Sequence, residues 1–364
     1  MYIRSSAGES IRQGTSRGNI RIATTDEDYI AWDQFLYNFS GAHYFQTYGW
    51  LRSYQPIGLT PHLLLHEVDN AITGGVAFLS AKLPVLQLRI FIIPHGPLPS
   101  GPEIPSWLPL MQALDEFCRR GNAIYAQLYP HEPSNQLVLL PRLAEMGFTS
   151  PAAFTSHQFS TDPVLVDLWG KSENDVLGAI RERTRTYVRR ALSSDLELRT
   201  EVDERIFKQI YQLFLEHGES RGFLPRPYAS LRAAWDWFSQ NGRATFIQAW
   251  LGDTLVGANF VIFTGRTAHY IHGAVHRGFA EQRPAEFIHW HAIRKAIQLK
   301  MENYDLVNMG PPGVAQFKRG FKPRYQTWHE PRTKIYRPAL AHMARVSERH
   351  LRSLVRGLSR WRAS

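Results

Sequence analysis

The chain has 364 residues, 44% hydrophobic and 20% charged, with a formal charge of +10. That length is enough for two globular cores, and the basic balance points to anionic partners such as nucleic acid, phosphorylated substrates or acidic membrane. The single cysteine, Cys118, excludes a disulfide framework and a cysteine-clustered zinc site, and no apolar run reaches the ~18 residues needed to span a bilayer.

Residues 1–19 are rich in Ser, Gly and Arg and read as a loose arm; the opening MYIRSSAGES has no apolar signal core, so the expected compartment is the cytoplasm. In the first half, Pro61–Val68, Ile72–Leu83 and Val85–Ile93 read as strands. Trp107–Arg120 has helical spacing and stops at Gly121. Ala123–Leu128 is the next strand, Asn135–Met146 a helix ending at Gly147, and a strand near Ser156–Ser160 leads out.

The second half opens with one long helix predicted over Glu173–Leu192, capped by Ser172 with Asp175 at capping-box spacing. A strand near Glu197 and helices over Glu204–Glu219 and Leu231–Gln240 follow. Ala244–Leu251, Thr254–Phe263 and Ala268–Ala274 are three strands, Pro284–Lys300 is a helix with proline first, and Tyr304–Val307 is a strand. A short helix over Val314–Lys318 precedes an extended run, Tyr325–Tyr336. Both halves thus repeat three strands, helix, strand, helix, strand. That order predicts an α/β chain of two N-acetyltransferase-like lobes, each a mixed, mostly antiparallel sheet flanked by helices. The expected bounds are 20–165 and 166–336, with a last strand able to cross to the first lobe.

Residues 337–364 form a separate basic segment with seven Arg and one Glu. Leu340, Ala344, Leu351, Leu354, Val355, Leu358 and Trp361 recur at helical spacing, and arginines fill much of the rest. This predicts an amphipathic helix that docks on anionic lipid, contacts tRNA phosphates or packs on the first lobe.

Three stretches can carry chemistry. Gly310–Arg324 mixes Lys318, Arg319, Lys322 and Arg324 with Phe317 and Phe321; it reads either as a site for a phosphate-bearing ligand with a stackable base or as a solvated basic loop with buried phenylalanines. The helix around Arg181–Arg190 sets Arg185 and Arg189 on one face, able to fork onto a diphosphate or simply to face water. Strand alternation puts Tyr270 and His272 on one side, lining a cleft or satisfied in the interior. His289 and His291 do not converge on a metal, and no hydrolase elbow or phosphate-cradling loop occurs, so neither metal nor cofactor is expected.

Several segments together resemble the Fem family (FemABX) of peptidoglycan-bridge aminoacyltransferases. Phe45–Trp50 (FQTYGW) is similar to its F-Q-S-x-x-W segment, Ile93–Pro97 (IPHGP) to its I-P-R-G-P turn with His95 replacing Arg, and Arg185–Ala191 to its R-x-x-I-R-K-A helix. Tyr270–Ala274, Ala285–Ile293 with Trp290, and Tyr304–Leu306 follow the family order, and Phe317–Phe321 matches its closing F-K-x-x-F. The resemblance spans roughly residues 40–330. It implies two acetyltransferase-like lobes and transfer of an amino acid from aminoacyl-tRNA to an amine of a UDP- or lipid-linked muropeptide. It also implies a catalytic Lys318, Phe317 at the tRNA end, and Arg185 and Arg189 on the precursor's phosphates, with Arg52 beside Trp50. The alternative is an acyl-CoA-dependent N-acyltransferase acting on an amino sugar or exopolysaccharide precursor, although no complete acetyltransferase pyrophosphate loop is found. A third reading is a non-catalytic binding protein that keeps the fold.

Overall fold

A computed structural model describes residues 18–83, 87–101, 103–151, 159 and 162–343. The first lobe begins with β1 (Asn19–Ile22) and α1 (Asp26–Asn38). Thr25 caps α1 in a capping box with Asp28, and the helix buries Trp32 and Leu36. A short α2 (Tyr48–Arg52) precedes β2 (Leu59–Val68), β3 (Ala71–Lys82) and β4 (Arg89–Pro94). Then come α3 (Trp107–Arg120), β5 (Ala123–Tyr129), α4 (Leu139–Glu145) and β6 (Ser150–Pro151). α4 starts later than Asn135 because the Glu132 carboxylate accepts the N–H groups of Val138 and Leu139, each at 3.0 Å, and fixes the first turn there. The strand expected near Ser156–Ser160 lies mostly outside the described residues.

The second lobe runs β7 (Val164–Asp167), α5 (Glu173–Ala179), α6 (Glu182–Leu192), β8 (Leu196–Arg199), α7 (Glu204–Arg221) and α8 (Tyr228–Gln240). It continues with β9 (Ala244–Leu251), β10 (Thr254–Thr264), β11 (Thr267–Val275), α9 (Pro284–Gln298), β12 (Asn303–Asp305), α10 (Pro312–Arg319), β13 (Arg324–Tyr325) and β14 (Arg332–Ile335). The Ser172–Asp175 capping box is present. The single helix expected over Glu173–Leu192 is two: Ile180 is extended and buried, and the Arg181 N–H donates to Gly320 O at 2.9 Å. A tertiary partner therefore replaces the intrahelical bond and docks α6 against the end of α10.

Each lobe holds a seven-stranded sheet. The first has the order β1-β2-β3-β4-β5-β14-β6 and the second β13-β7-β12-β11-β10-β9-β8. In both, antiparallel hairpins lead to one parallel pair, β4 with β5 and β11 with β12, joined by the crossover helices α3 and α9. β14 crosses back to pair with β5 and β6, so the C-terminal strand stitches the lobes together.

One core runs between the two sheets. It joins Trp32, Phe45 and Trp50 of the first lobe to Phe207, Phe214, Phe246 and Phe260 of the second. Helices α1, α2, α7 and α8 supply this middle layer, while α3 covers the outer face of the first sheet and α6 and α9 that of the second. Asp33, only 2% exposed, pins the layer: it accepts the N–H groups of Tyr48 (2.7 Å) and Gly49 (3.1 Å) and, from the other lobe, Trp237 Nε1–H (2.8 Å). Burial raises its carboxyl to about 7 against the pull of those three donors. Gly49 has no side chain because a Cβ there would meet Trp237 Cδ1 at 2.0 Å. Residues 338–343 are helical, and Leu340 and Ala341 pack beside Leu88 and Tyr125 of the first lobe; the rest of the predicted C-terminal helix lies outside the described residues.

Candidate functional site

The parallel pair of the second lobe is short. Thr267, Ala268 and His269 register with Asn303, Tyr304 and Asp305, after which β11 runs on to Val275 while β12 ends and its chain turns away at Leu306–Asn308. The opening left by this divergence faces the Tyr44–Tyr54 segment of the first lobe. A cleft of about 720 Å³ lies there, walled by Phe45, Trp50, Tyr54, Ile271, His272, Val307 and Asn308 and rimmed by Leu215, Leu224 and Arg226. A partly enclosed apolar pocket at a lobe junction is where a substrate site is expected.

The Leu306–Asn308 wall is held under strain. Val307, a β-branched residue, has φ 54°, in the left-handed region. Two buried groups keep it there. Asp305 Oδ1 accepts the Val307 N–H at 2.8 Å, together with the Val164 N–H at 3.0 Å. From behind, Lys318 Nζ donates to the carbonyls of Leu306 (2.7 Å), Val307 (2.9 Å) and Asn308 (2.7 Å). Lys318 is 5% exposed, and burial lowers its ammonium to about 8 while the Asp305 charge opposes the shift.

This arrangement corrects the expectation of a lysine open to the ligand. An ammonium has three protons, and all three are committed to backbone carbonyls. Phe317 is half-buried behind the same wall, its ring 5.2 Å from that of His289 and 5.3 Å from that of Phe321, so it packs on the second-lobe core.

Tyr270 and His272 do not share a face. Phe260 pairs with His272 and Val261 with Tyr270, so Ile271 is an extra residue, a β-bulge that reverses the alternation. Tyr270 consequently points toward α9 and α10, 4.7 Å from the His289 ring and 5.8 Å from Lys318 Nζ. His272 points into the cleft against Phe214, 4.3 Å between rings; burial lowers it to about 4, so it is neutral at physiological pH. Gly273 belongs to the same bend, since a Cβ there would lie 2.8 Å from the Tyr270 ring.

The arginines scatter. Arg185 donates to Gly178 O at 3.0 Å, Arg189 is exposed on α6, and neither lines the cleft. Arg52 lies over the Trp237 ring at 5.2 Å, on the outside of the middle layer. Of the expected site residues only Trp50 and His272 reach the cleft directly; Lys318 shapes it from behind.

Three groups were given no role at the site in the sequence reading. Arg226 sits in the corner made by the perpendicular rings of Trp50 and Tyr54, its guanidinium carbon 4.1 and 4.2 Å from their ring centres. It donates to Ser230 Oγ at 2.7 Å and to Ser53 Oγ, tying α8 to the first lobe. Asp305 and His269, paired in register, face each other at 3.4 Å. His95, in the segment where the family has arginine, is fully buried at φ 52° and stacks on His43 at 4.7 Å, with His131 and Trp328 alongside. Among the described residues no group of His, Cys, Asp or Glu could hold a metal ion, and no helix is long and apolar enough to cross a membrane.

Two acetyltransferase-like lobes sharing a core, with a cleft where the second lobe's parallel strands part, define a tandem GNAT architecture. Residues 178–319 match the family described as acetyltransferase (GNAT) domain. The structure is similar to that of FemX (TM-score 0.78, 15% identity, covering 90% of this chain and 100% of that one). It is also similar to a tandem GNAT protein from the clavulanic acid biosynthesis pathway (TM-score 0.53, 12% identity, 87% and 98% covered). A third likeness is to the C-terminal domain of a putative lysylphosphatidylglycerol synthetase from Agrobacterium fabrum (TM-score 0.52, 12% identity, 88% and 95% covered). No curated protein matches the sequence. In fold, the chain is similar to FemX and to tandem GNAT proteins.

Proposed function

We propose that the chain is an acyltransferase that moves an aminoacyl group from aminoacyl-tRNA to an amine of a cell-wall precursor, a UDP- or lipid-linked muropeptide. The observation that supports this reading most is the cleft at the junction of two lobes in a fold that follows FemX over nearly its whole length. The chemistry is ester aminolysis: the amine nitrogen bonds to the carbonyl carbon, the carbon–oxygen bond to the ribose breaks, and the amine proton passes to the ribose oxygen. No covalent enzyme intermediate is required. What the protein must supply is a fixed geometry for amine and ester, and the clamped Leu306–Asn308 wall provides a rigid side for it.

In this reading Lys318 is a positioning residue that sets the wall. Phe317 and Tyr270 fill the space behind it, Trp50 and His272 contact the reacting groups, and Arg185, Arg189 and Arg52 are outer sites for tRNA or precursor phosphates. Membrane contact through residues 338–364 would bring the cleft to lipid-linked acceptors. The test is mass spectrometry of a muropeptide acceptor incubated with the protein and either charged tRNA or acyl-CoA. Transfer from charged tRNA supports the proposal. Transfer from acyl-CoA alone replaces it with an acyl-CoA-dependent N-acyltransferase, the reading favoured by the acetyltransferase domain match, and no transfer from either donor defeats both.

A further inference from the structure

The cleft has a composition that a diphosphate sugar does not fit. Among its described lining residues none is Lys, Asp or Glu, and Arg226 is the one permanent charge among them. Its walls are aromatic and aliphatic, with Phe45, Trp50, Tyr54 and Ile271 on the inner side. The rim is apolar as well: Leu224 is 95% exposed and Leu215 37% exposed, both beside the mouth, with Phe223 next to them at 43%. Water-facing leucines and phenylalanine gathered at one pocket mouth leave apolar surface that a ligand can cover.

Arg226 is the second observation. Its guanidinium is held by the perpendicular rings of Trp50 and Tyr54 and by two serine hydroxyls, yet it has no carboxylate partner among the described residues. A guanidinium has five N–H donors in a rigid fork; two are used here, and the charge stays uncompensated in an apolar setting. Such a group is complementary to one anion. His272, the one imidazole in the described lining, is held neutral by burial and adds no positive charge.

We infer that the cleft takes an amphipathic anion: an aliphatic or aromatic chain laid along Trp50, Tyr54, Ile271 and the Leu215–Leu224 rim, with a single carboxylate or phosphate set on Arg226. This deepens the acyl-transfer reading, on which it rests for the cleft's role, by assigning the substrate portion at the lobe junction an apolar rather than a nucleotide character. The nucleotide and sugar parts of donor and acceptor then lie outside the cleft, and only the reacting amine and ester reach into it.

Direct binding tests this without requiring turnover. Decanoate, decyl phosphate, decyltrimethylammonium and uridine diphosphate are titrated below micelle-forming concentrations, read by tryptophan fluorescence, since Trp50 lines the site, and by calorimetry. Expected is 1:1 binding of at least one decyl anion, tenfold or more tighter than the decyl cation. The two anion arms tell a carboxylate from a phosphate head. Arg226→Gln should weaken that binding tenfold or more. Because Arg226 also bridges the lobes, the fully exposed Leu224→Asp serves as a second variant that leaves the fold intact; it should weaken binding at least threefold. Tighter binding of uridine diphosphate than of either decyl anion, or decyl-anion affinity unchanged in both variants, overturns the inference. Decyl-anion binding without transfer from any donor sinks the acyl-transfer reading and leaves the binding inference standing.

Discussion

Lys318→Met probes the feature on which the cleft's shape depends. The substitution keeps much of the stem but deprives three buried carbonyls, those of Leu306, Val307 and Asn308, of their donor. Hydrogen bonds from a charged group contribute about 1.5–3 kcal/mol each. Against that loss, burial holds the ammonium near 8 instead of 10.5; each pKa unit corresponds to ~1.36 kcal/mol, so a neutral side chain recovers ~3 kcal/mol. The net loss is then ~1.5–6 kcal/mol. For a protein of this size, with ~2.1 cal/mol/K of unfolding entropy per residue, that lowers Tm by roughly 1–2 °C per kcal/mol, well outside the effect of removing an exposed charge, which is ~0–1 kcal/mol. Turnover should fall by ~10² because the freed Val307 no longer holds the wall in place. Lys318→Arg should rescue only in part, since a flat fork cannot meet three carbonyls grouped around one point. Calorimetry and circular dichroism read the stability, and acyl-transfer kinetics the turnover. A Tm within ~1 °C of the parent with a normal fold would refute the clamp; unchanged turnover alongside a lowered Tm would confine Lys318 to stability.

Val307→Gly removes the left-handed strain at φ 54°. The strain relieved is ~1–2 kcal/mol and glycine's added unfolded-state freedom costs ~0.5–1 kcal/mol, so stability should be equal or slightly higher while turnover falls; a loss beyond ~1 kcal/mol in urea titration would contradict the assigned strain. Asp33→Asn leaves one oxygen for the three donors Tyr48, Gly49 and Trp237 and should cost ~1–3 kcal/mol; an unchanged urea midpoint would show that the carboxylate does not pin the lobes. Acidification should destabilise the chain, because burial depresses several histidines below 6.5: His62, His131 and His272 to about 4, His289 to about 3, and His43 and His95 well below their ordinary value. Depressed histidines bind protons more readily unfolded than folded, so their contribution is complete above pH 6.5 and is lost toward pH 4, by ~1.4 kcal/mol per pH unit for each proton taken up, which outweighs the opposite effect of the raised Asp33 carboxyl. Equal urea midpoints at pH 7.5 and 5.5 would contradict that sign.

Local pattern carried most of the fold. Trp107–Arg120 is α3 residue for residue, and the β9–β10–β11 meander and α9 fall within a few residues of their expected bounds, because alternation, turn residues and proline at the helix start are properties of contiguous sequence. The repeated strand and helix order made the two lobes visible. Helix α1 was legible too, through Thr25 and Asp28 at capping-box spacing before Trp32 and Leu36, but that signal was not used. What stayed hidden depends on distant partners. Nothing near Ile180 announces that Gly320 O will take the Arg181 N–H and split a helix. The extra residue at Ile271, which sends Tyr270 and His272 to opposite faces, is set by pairing with β10. Lys318 sits among Arg319, Lys322 and Arg324 and so resembles a solvated cation; its burial follows from three carbonyls ten to twelve residues upstream. Arg226 stands in a Gly-Phe-Leu-Pro-Arg-Pro loop with no motif around it, and only the fold brings it against Trp50 and Tyr54.

The central claim is that the lobe junction is where donor and acceptor meet. Hydrogen–deuterium exchange of the full chain, with and without a non-hydrolysable aminoacyl-tRNA end analogue together with a muropeptide precursor, tests it most directly. Ligand-dependent protection of the backbone is expected at residues 44–54, 271–273 and 306–308, the segments around the cleft. Protection confined to α6 or to the outer faces of the lobes, with those three segments exchanging as in the free protein, would contradict it.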